Sequence, residues 1–232
     1  MKIAFYGDSL TEGKAGIPYI DKIKKKFPAH KIINFGKGGD TVISLYKRII
    51  KKNLDISTDI AFIWIGSNDV FVKVSWLYYP LKIVTNQRPS KNHDEFILYY
   101  KKIIEVLSKK AKKIVCVPPI LIGENLKNKW NQELEEIAEY IKKITESYVN
   151  VEYLDLRKVF IEKLKKTNPS EYVIKSNLSL LFDYMYCNSP EKIREVSNKR
   201  GLFFTLDGVH LNKKGAEIVS EEFIKYISKN QF

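Results

Sequence analysis

Cysteine, histidine and arginine are scarce in this 232-residue chain, and each scarcity closes off a class of function. Two cysteines, Cys116 and Cys187, cannot build a disulfide framework. Cys116 lies in the apolar run Ile114–Val117, where a buried and inert thiol is expected. Three histidines and two distant cysteines show no ligand spacing, so no metal is expected. Of the 40 basic residues only five are arginine, although the formal net charge is +13. The lysines recur as scattered pairs such as Lys51-Lys52, Lys112-Lys113 and Lys213-Lys214. A nucleic-acid reader concentrates its charge and uses arginine for bidentate contacts, so solvated helix faces are expected and no specific nucleic-acid partner. No stretch approaches the roughly 18–20 apolar residues of a membrane span. The apolar run at the N-terminus is too short for a signal-peptide core. A cytoplasmic protein is the simplest expectation.

What is present is ordinary globular material, 44% hydrophobic and 12% aromatic, enough for one domain over residues 1–232. Short runs rich in Ile, Val, Phe and Tyr predict strands at Lys2–Tyr6, Lys31–Phe35, Asp59–Ile65, Lys113–Val117 and Val151–Leu154. Amphipathic segments between them predict helices near Pro18–Phe27, Thr41–Lys52, Asp94–Lys110 and Lys129–Tyr148. A last helix, near Lys213–Lys229, follows Asn212, a good N-cap type. Such alternation argues for an α/β domain with a parallel sheet, whose function sits at the carboxyl ends of the strands. Two segments break the rhythm, at about 71–92 and 167–205. They read as lids or small subdomains, or as insertions packed on the sheet edge.

The predicted strand ends carry the chemistry. Gly7-Asp8-Ser9-Leu10 follows the first strand, Gly36-Lys37-Gly38-Gly39-Asp40 the second, and Gly66-Ser67-Asn68-Asp69 the third. Asp207-Gly208-Val209-His210 precedes the last helix. A serine hydroxyl needs an adjacent base, which His210 can supply to Ser9. That base needs an acceptor on its other nitrogen, and Asp207 stands three residues away on a glycine-containing turn. The backbone N–H groups of Ser9 and Gly39 and the side-chain amide of Asn68 are candidate oxyanion donors. Asp8, Asp40 and Asp69 read as acceptors that hold these loops rather than as acids in the chemistry. Trp76–Tyr79 would either line an acyl pocket or pack the insertion. His30 reads as a surface turn residue and His93 as part of a helix start.

Other phosphate and nucleophile motifs fail on spacing. Gly7 and Gly13-Lys14 are one residue too far apart for a P-loop, and Ala15 follows where Ser or Thr is needed. Thr41 replaces the third glycine of a dinucleotide fingerprint starting at Gly36, and Thr11 ends any Gly-x-Ser-x-Gly elbow.

In its four blocks the chain resembles the GDSL-type esterases and lipases of the SGNH hydrolase superfamily. Ser9 falls in the first block, Gly39 in the second, Asn68 in the third and His210 in the last, with Asp207 before it. The resemblance runs from Lys2 to the final helix. It implies a flavodoxin-like three-layer α/β/α fold with strand order 2-1-3-4-5. It also implies hydrolysis of a small-molecule ester or thioester through an acyl-enzyme, without cofactor. The insertions are the departure from the family blocks and leave the substrate open. Acyl transfer to an alcohol or sugar is the alternative within enzymes, and a catalytically silent flavodoxin-like binding module the alternative outside them.

Overall fold

The computed structural model describes residues 1–74 and 78–230. The first part of the chain runs β1 (Lys2–Gly7), α1 (Ser9–Glu12), α2 (Ile20–Lys26), β2 (Lys31–Gly36), α3 (Val42–Lys51) and β3 (Thr58–Trp64). It continues through α4 (Ser67–Phe71), α5 (Tyr78–Val84), α6 (His93–Ser108), β4 (Ala111–Val117), α7 (Lys129–Thr145) and β5 (Val151–Tyr153). The last part is helical: α8 (Leu156–Leu164), α9 (Asn177–Tyr186), α10 (Pro190–Lys199) and α11 (Lys213–Lys229). The five strands form one parallel sheet in the order β2-β1-β3-β4-β5. This is the α/β fold expected from the alternation and from the family resemblance.

Alternation along the strands divides the core in two. Ile3, Phe5, Ile60, Phe62, Val115 and Val117 face one side, where Ile23 of α2, Phe160 of α8 and Phe223 of α11 cover them. Ala4, Tyr6, Ala61, Ile63, Ile114 and Cys116 face the other, against α3, α6 and α7. Successive side chains of a strand point to opposite faces, so runs apolar on both faces must be covered twice. Phe223 seats the last helix on the sheet, its ring 5.3 Å from Phe5 and 4.9 Å from Phe62. Cys116 is fully buried, and burial pushes its thiol up to about 12, as suits an inert core residue.

The two irregular segments hold more helix than their composition suggests. Residues 78–92 contain α5, and residues 167–205 contain α9 and α10. The caps of the latter two were readable: the Ser176 side chain accepts from the Ser179 N–H, and Ser189 accepts from Lys192 ahead of Pro190 in the first turn. Helix α8 and the short turns α1 and α4 also lie outside the predicted helices. Among the described residues no helix is long and apolar enough to cross a membrane.

One buried carboxylate ties the last loop to the sheet. Glu124, fully buried beyond the end of β4, accepts from the N–H groups of Phe203 at 2.7 Å and of Phe204 and Thr205 at 2.8 Å. The Thr205 hydroxyl adds a fourth bond at 2.8 Å. Asn131 of α7 holds the Glu124 turn in place, donating to the Gly123 and Asn125 carbonyls and accepting from Ile122. Glu124→Ala strands three N–H groups, two of them buried. At about 1–3 kcal/mol for each unsatisfied group, partly relieved by entering water, a loss of about 3 kcal/mol or more is expected. Urea unfolding at an unchanged m-value measures it.

Candidate active site

The rim at the carboxyl ends of β1, β2 and β3 brings together the sequence-predicted residues. Ser9 opens α1 immediately after β1, and Asp8 caps that turn by accepting from the Leu10 N–H at 3.0 Å. Gly39 lies in the loop after β2 with φ +77, and Asn68 lies in α4 after β3. Asp207 and His210 sit in the loop between the Glu124-bound segment and α11. Inside that loop, Asp207 Oδ1 accepts from the N–H groups of Val209 and His210, and the Leu206 N–H donates to the His210 carbonyl. Gly208, at φ +92, makes this tight return, and Gly123 donates to its carbonyl at 2.7 Å. The Asn212 side chain then caps α11 through the Gly215 N–H.

His210 Nε2 is 3.0 Å from Ser9 Oγ, and His210 Nδ1 is 2.6 Å from Asp207 Oδ2. An ionised carboxylate only accepts, so Nδ1 carries the proton and Nε2 is left to accept from the Ser9 hydroxyl. Burial works against a charged His210, but the charge and hydrogen bond of Asp207, with Asp8 and Asp183 behind it, carry its pKa above the usual value. Burial likewise opposes the Asp207 carboxylate. His210 and the two backbone N–H groups outweigh it and hold Asp207 below its usual value.

The three other aspartates are all buried, and each ties one loop to another. Asp8 Oδ2 accepts from Asn68 Nδ2 at 3.3 Å, and burial lifts the Asp8 carboxyl to about 6. Asp40 pairs with Arg48 at 2.7 Å and accepts from the Ser44 hydroxyl at 2.9 Å. Asp69 accepts from the Val42 N–H at 2.9 Å and from both the N–H and hydroxyl of Ser90.

Two further residues adjoin the site, Lys82 and Gln87, both from the 71–92 segment and neither marked by a sequence pattern. Lys82 of α5 donates to the Gly39 carbonyl at 2.5 Å and to Asn68 Oδ1 at 2.9 Å. Gln87 Nε2 donates to the Gly38 carbonyl at 2.8 Å. Burial lowers the Lys82 pKa to about 8, against the pull of Asp8, Asp69 and Asp40. One lysine among so many carries no signal in the sequence. Glu124, by contrast, follows a strand end, where parallel sheets carry their functional loops. Of the aromatics in that segment, Tyr78 is buried with its ring 4.7 Å from Phe71, Tyr79 is exposed, and Trp76 lies outside the described residues. His30 stacks on Phe27, and His93 follows the Asn92 cap and faces Glu133 and Glu136 of α7.

A cavity of about 190 Å³ opens beside His210, lined by Ala15, Gly16, Leu180, Asp183 and Leu206 among others. A larger one, of about 470 Å³, lies between α10 and the start of α11 and touches neither Ser9 nor His210.

Residues 3–223 match the family model described as GDSL-like lipase/acylhydrolase. The chain belongs to that family. It is a GDSL hydrolase of the SGNH type, a carboxylic ester hydrolase. No curated protein matches it. Among solved structures it is similar to an acetyl xylan esterase at 21% identity and a TM-score of 0.65, over 98% of this chain and 100% of that one. An acetylxylan esterase from Geobacillus stearothermophilus is 20% identical with a TM-score of 0.68, over 97% and 93% of the two chains. Catalytic mutants of the latter replace a serine, an aspartate and a histidine, the last two standing three positions apart. An alpha/beta hydrolase enzyme from the metagenome of Lake Arreo, Spain, is 16% identical with a TM-score of 0.67, over 100% and 96%. At these identities the likeness is one of fold.

The raised pKa of His210 bears on the role proposed for it below. Only a neutral imidazole accepts a serine proton, so with His210 as the base activity is expected to fall with falling pH as it gains its proton. Because that pKa is raised, the acid limb of kcat/KM is expected above the unperturbed value of about 6.5. Asp207→Asn removes the charge that raises it, so the limb of the residual activity moves to lower pH. A pH–rate series on both proteins measures the difference.

Proposed function

We propose that the protein hydrolyses short-chain carboxylic esters, acetyl esters of hydroxyl compounds above all, through an acyl-enzyme on Ser9. The observation that carries this reading is the continuous line from Asp207 through His210 to Ser9, with contacts of 2.6 and 3.0 Å. The spacing of Asp207 and His210 equals that of the aspartate and histidine replaced in the catalytic mutants of the Geobacillus enzyme. The acetyl preference is carried over from the two acetylxylan esterases and rests on likeness of fold.

His210 Nε2 takes the Ser9 proton as Oγ bonds to the acyl carbon, and the carbonyl electron pair moves onto oxygen. The Ser9 and Gly39 N–H groups and the Asn68 amide receive that oxyanion. As the pair returns, the C–O bond to the alcohol breaks and His210 hands its proton to the leaving oxygen. Water, deprotonated by His210, then attacks the acyl carbon; as the bond to Ser9 Oγ breaks, His210 returns that proton to Oγ and the carboxylic acid leaves. Asp207 keeps the imidazole in the working tautomer and stabilises it when charged. The leaving oxygen must lie at His210. The cavity that touches His210 and Asp207 but neither Gly39 nor Asn68 therefore suits the alcohol half of the ester.

A fluorophosphonate probe is expected to add one adduct, mapped by peptide mass spectrometry to Ser9; stoichiometric labelling elsewhere, with Ser9→Ala still active, overturns the acyl-enzyme. A panel of esters graded in acyl length tests the substrate, with turnover falling as the chain lengthens. Turnover confined to long chains removes the acetyl assignment alone.

Asn68→Ala tests the oxyanion donors. Losing one such donor typically costs about 10²–10³ in kcat, with KM little changed. A near-normal kcat takes Asn68 out of the oxyanion hole.

A further inference from the structure

The four sequence blocks account for Ser9, Gly39, Asn68 and His210 but leave open what orients the Asn68 side chain. A primary amide offers donors on one side and an acceptor on the other, and a half-turn exchanges them. In the wrong sense the amide would aim a lone pair at a developing oxyanion. The structure surrounds Asn68 with groups that permit only one sense. Its Oδ1 accepts from the Lys82 ammonium at 2.9 Å, and an ammonium cannot accept. Its Nδ2 donates to Asp8 Oδ2 at 3.3 Å, on the residue beside Ser9, and an ionised carboxylate cannot donate. One N–H of the amide remains for another acceptor.

The same segment acts on Gly39. Lys82 also holds the Gly39 carbonyl at 2.5 Å, and Gln87 holds the Gly38 carbonyl at 2.8 Å. In a trans peptide the N–H points opposite to the C=O, so anchoring the Gly38 carbonyl sets the direction of the Gly39 N–H. That N–H has no acceptor among the described residues. A Cβ on Gly39 would come within 2.6 Å of Gln87 Oε1 and 3.0 Å of Lys82 Nζ, so both side chains press directly on this glycine.

We propose that Lys82 is a positioning residue of this esterase, fixing the sense of the Asn68 amide and, with Gln87, presetting the oxyanion hole. It acts through Asn68 and Gly39 and rests on the oxyanion role given to them above. An ammonium on Oδ1 also polarises the amide, which strengthens its N–H groups as donors. Asp8, Asp40 and Asp69 face Lys82 and favour its charged form. That neighbourhood supplies a purely structural alternative, in which Lys82 only balances three buried carboxylates.

A double-mutant cycle separates the two. Lys82→Met keeps the aliphatic stem and removes the ammonium. Losing hydrogen bonds to a charged group predicts a fall in kcat of about 10- to 100-fold, with KM changed less than about threefold. In an Asn68→Ala background the same substitution is expected to cost less than about threefold, because the group it orients is gone. Lys82→Arg, which keeps a cation and its donors, is expected to retain more kcat than Lys82→Met. Lys82→Gln, neutral but still a donor, takes the place of the methionine variant if that protein does not fold. An unchanged kcat, a loss residing in KM, or an equal loss in both backgrounds overturns the inference while the Ser9 chemistry stands. If Asn68→Ala itself leaves kcat near normal, the oxyanion assignment and this inference fall together, and Ser9 labelling still reports on the nucleophile.

Discussion

A hydroxyl and an imidazole 201 positions apart meet at 3.0 Å, although only one of them sits at the end of a strand. Ser9 is fixed by the sheet, since it starts the turn into which β1 runs. His210 belongs to a loop with no strand of its own beyond a single bridge between Thr205 and Leu211. Its position is imposed by neighbours: the Glu124 carboxylate on one side, the Gly123–Gly208 contact beneath, and α11 seated on the aromatic core beyond it. Asn131 and Arg157 hold the chain around Glu124, Arg157 through the Asn131 and Ile120 carbonyls. Thus the Ser9–His210 contact is set by polar groups outside the pair itself.

The opposite side of the site is held by charge. Asp8, Asp40 and Asp69 lie within the loops after β1, β2 and β3, all buried, where unpaired carboxylates are costly. Arg48 pairs with Asp40, and Lys82 lies among all three. Backbone N–H groups complete their hydrogen bonding at Leu10, Val42 and Ser90. Asp8 thus binds the loop after β1 to that after β3, and Asp69 binds the latter to the start of α3, so two carboxylates link the three loops.

Much of this was legible from residues alone. Strand and helix positions followed from periodicity because both faces of the sheet are covered. Ser9, Gly39, Asn68, Asp207 and His210 stood out because strand-end turns need glycine and aspartate in recognisable patterns. Lys82 and Gln87 did not, since their place depends on how α5 docks, and docking leaves no local pattern. The helices α9 and α10 were hidden by weak amphipathicity in α9 and a strongly polar α10, although Ser189-Pro190 announced the start of the second. Glu124 carries no such signal, because an isolated acidic residue reads as solvent-exposed and its three N–H donors come from a segment about 80 positions away.

The order of these parts along the chain has a consequence for biosynthesis. All five strands are laid down by Tyr153, and Ser9 precedes four of them. A nascent chain growing from its N-terminus can therefore assemble every strand while the Ser9 hydroxyl still faces no imidazole. Chains broken off between Tyr153 and His210 would contain a whole sheet and a serine without its partner. The Ser9–His210 contact thus arrives late in translation, with the loop that Glu124 captures and the helix that Phe223 seats.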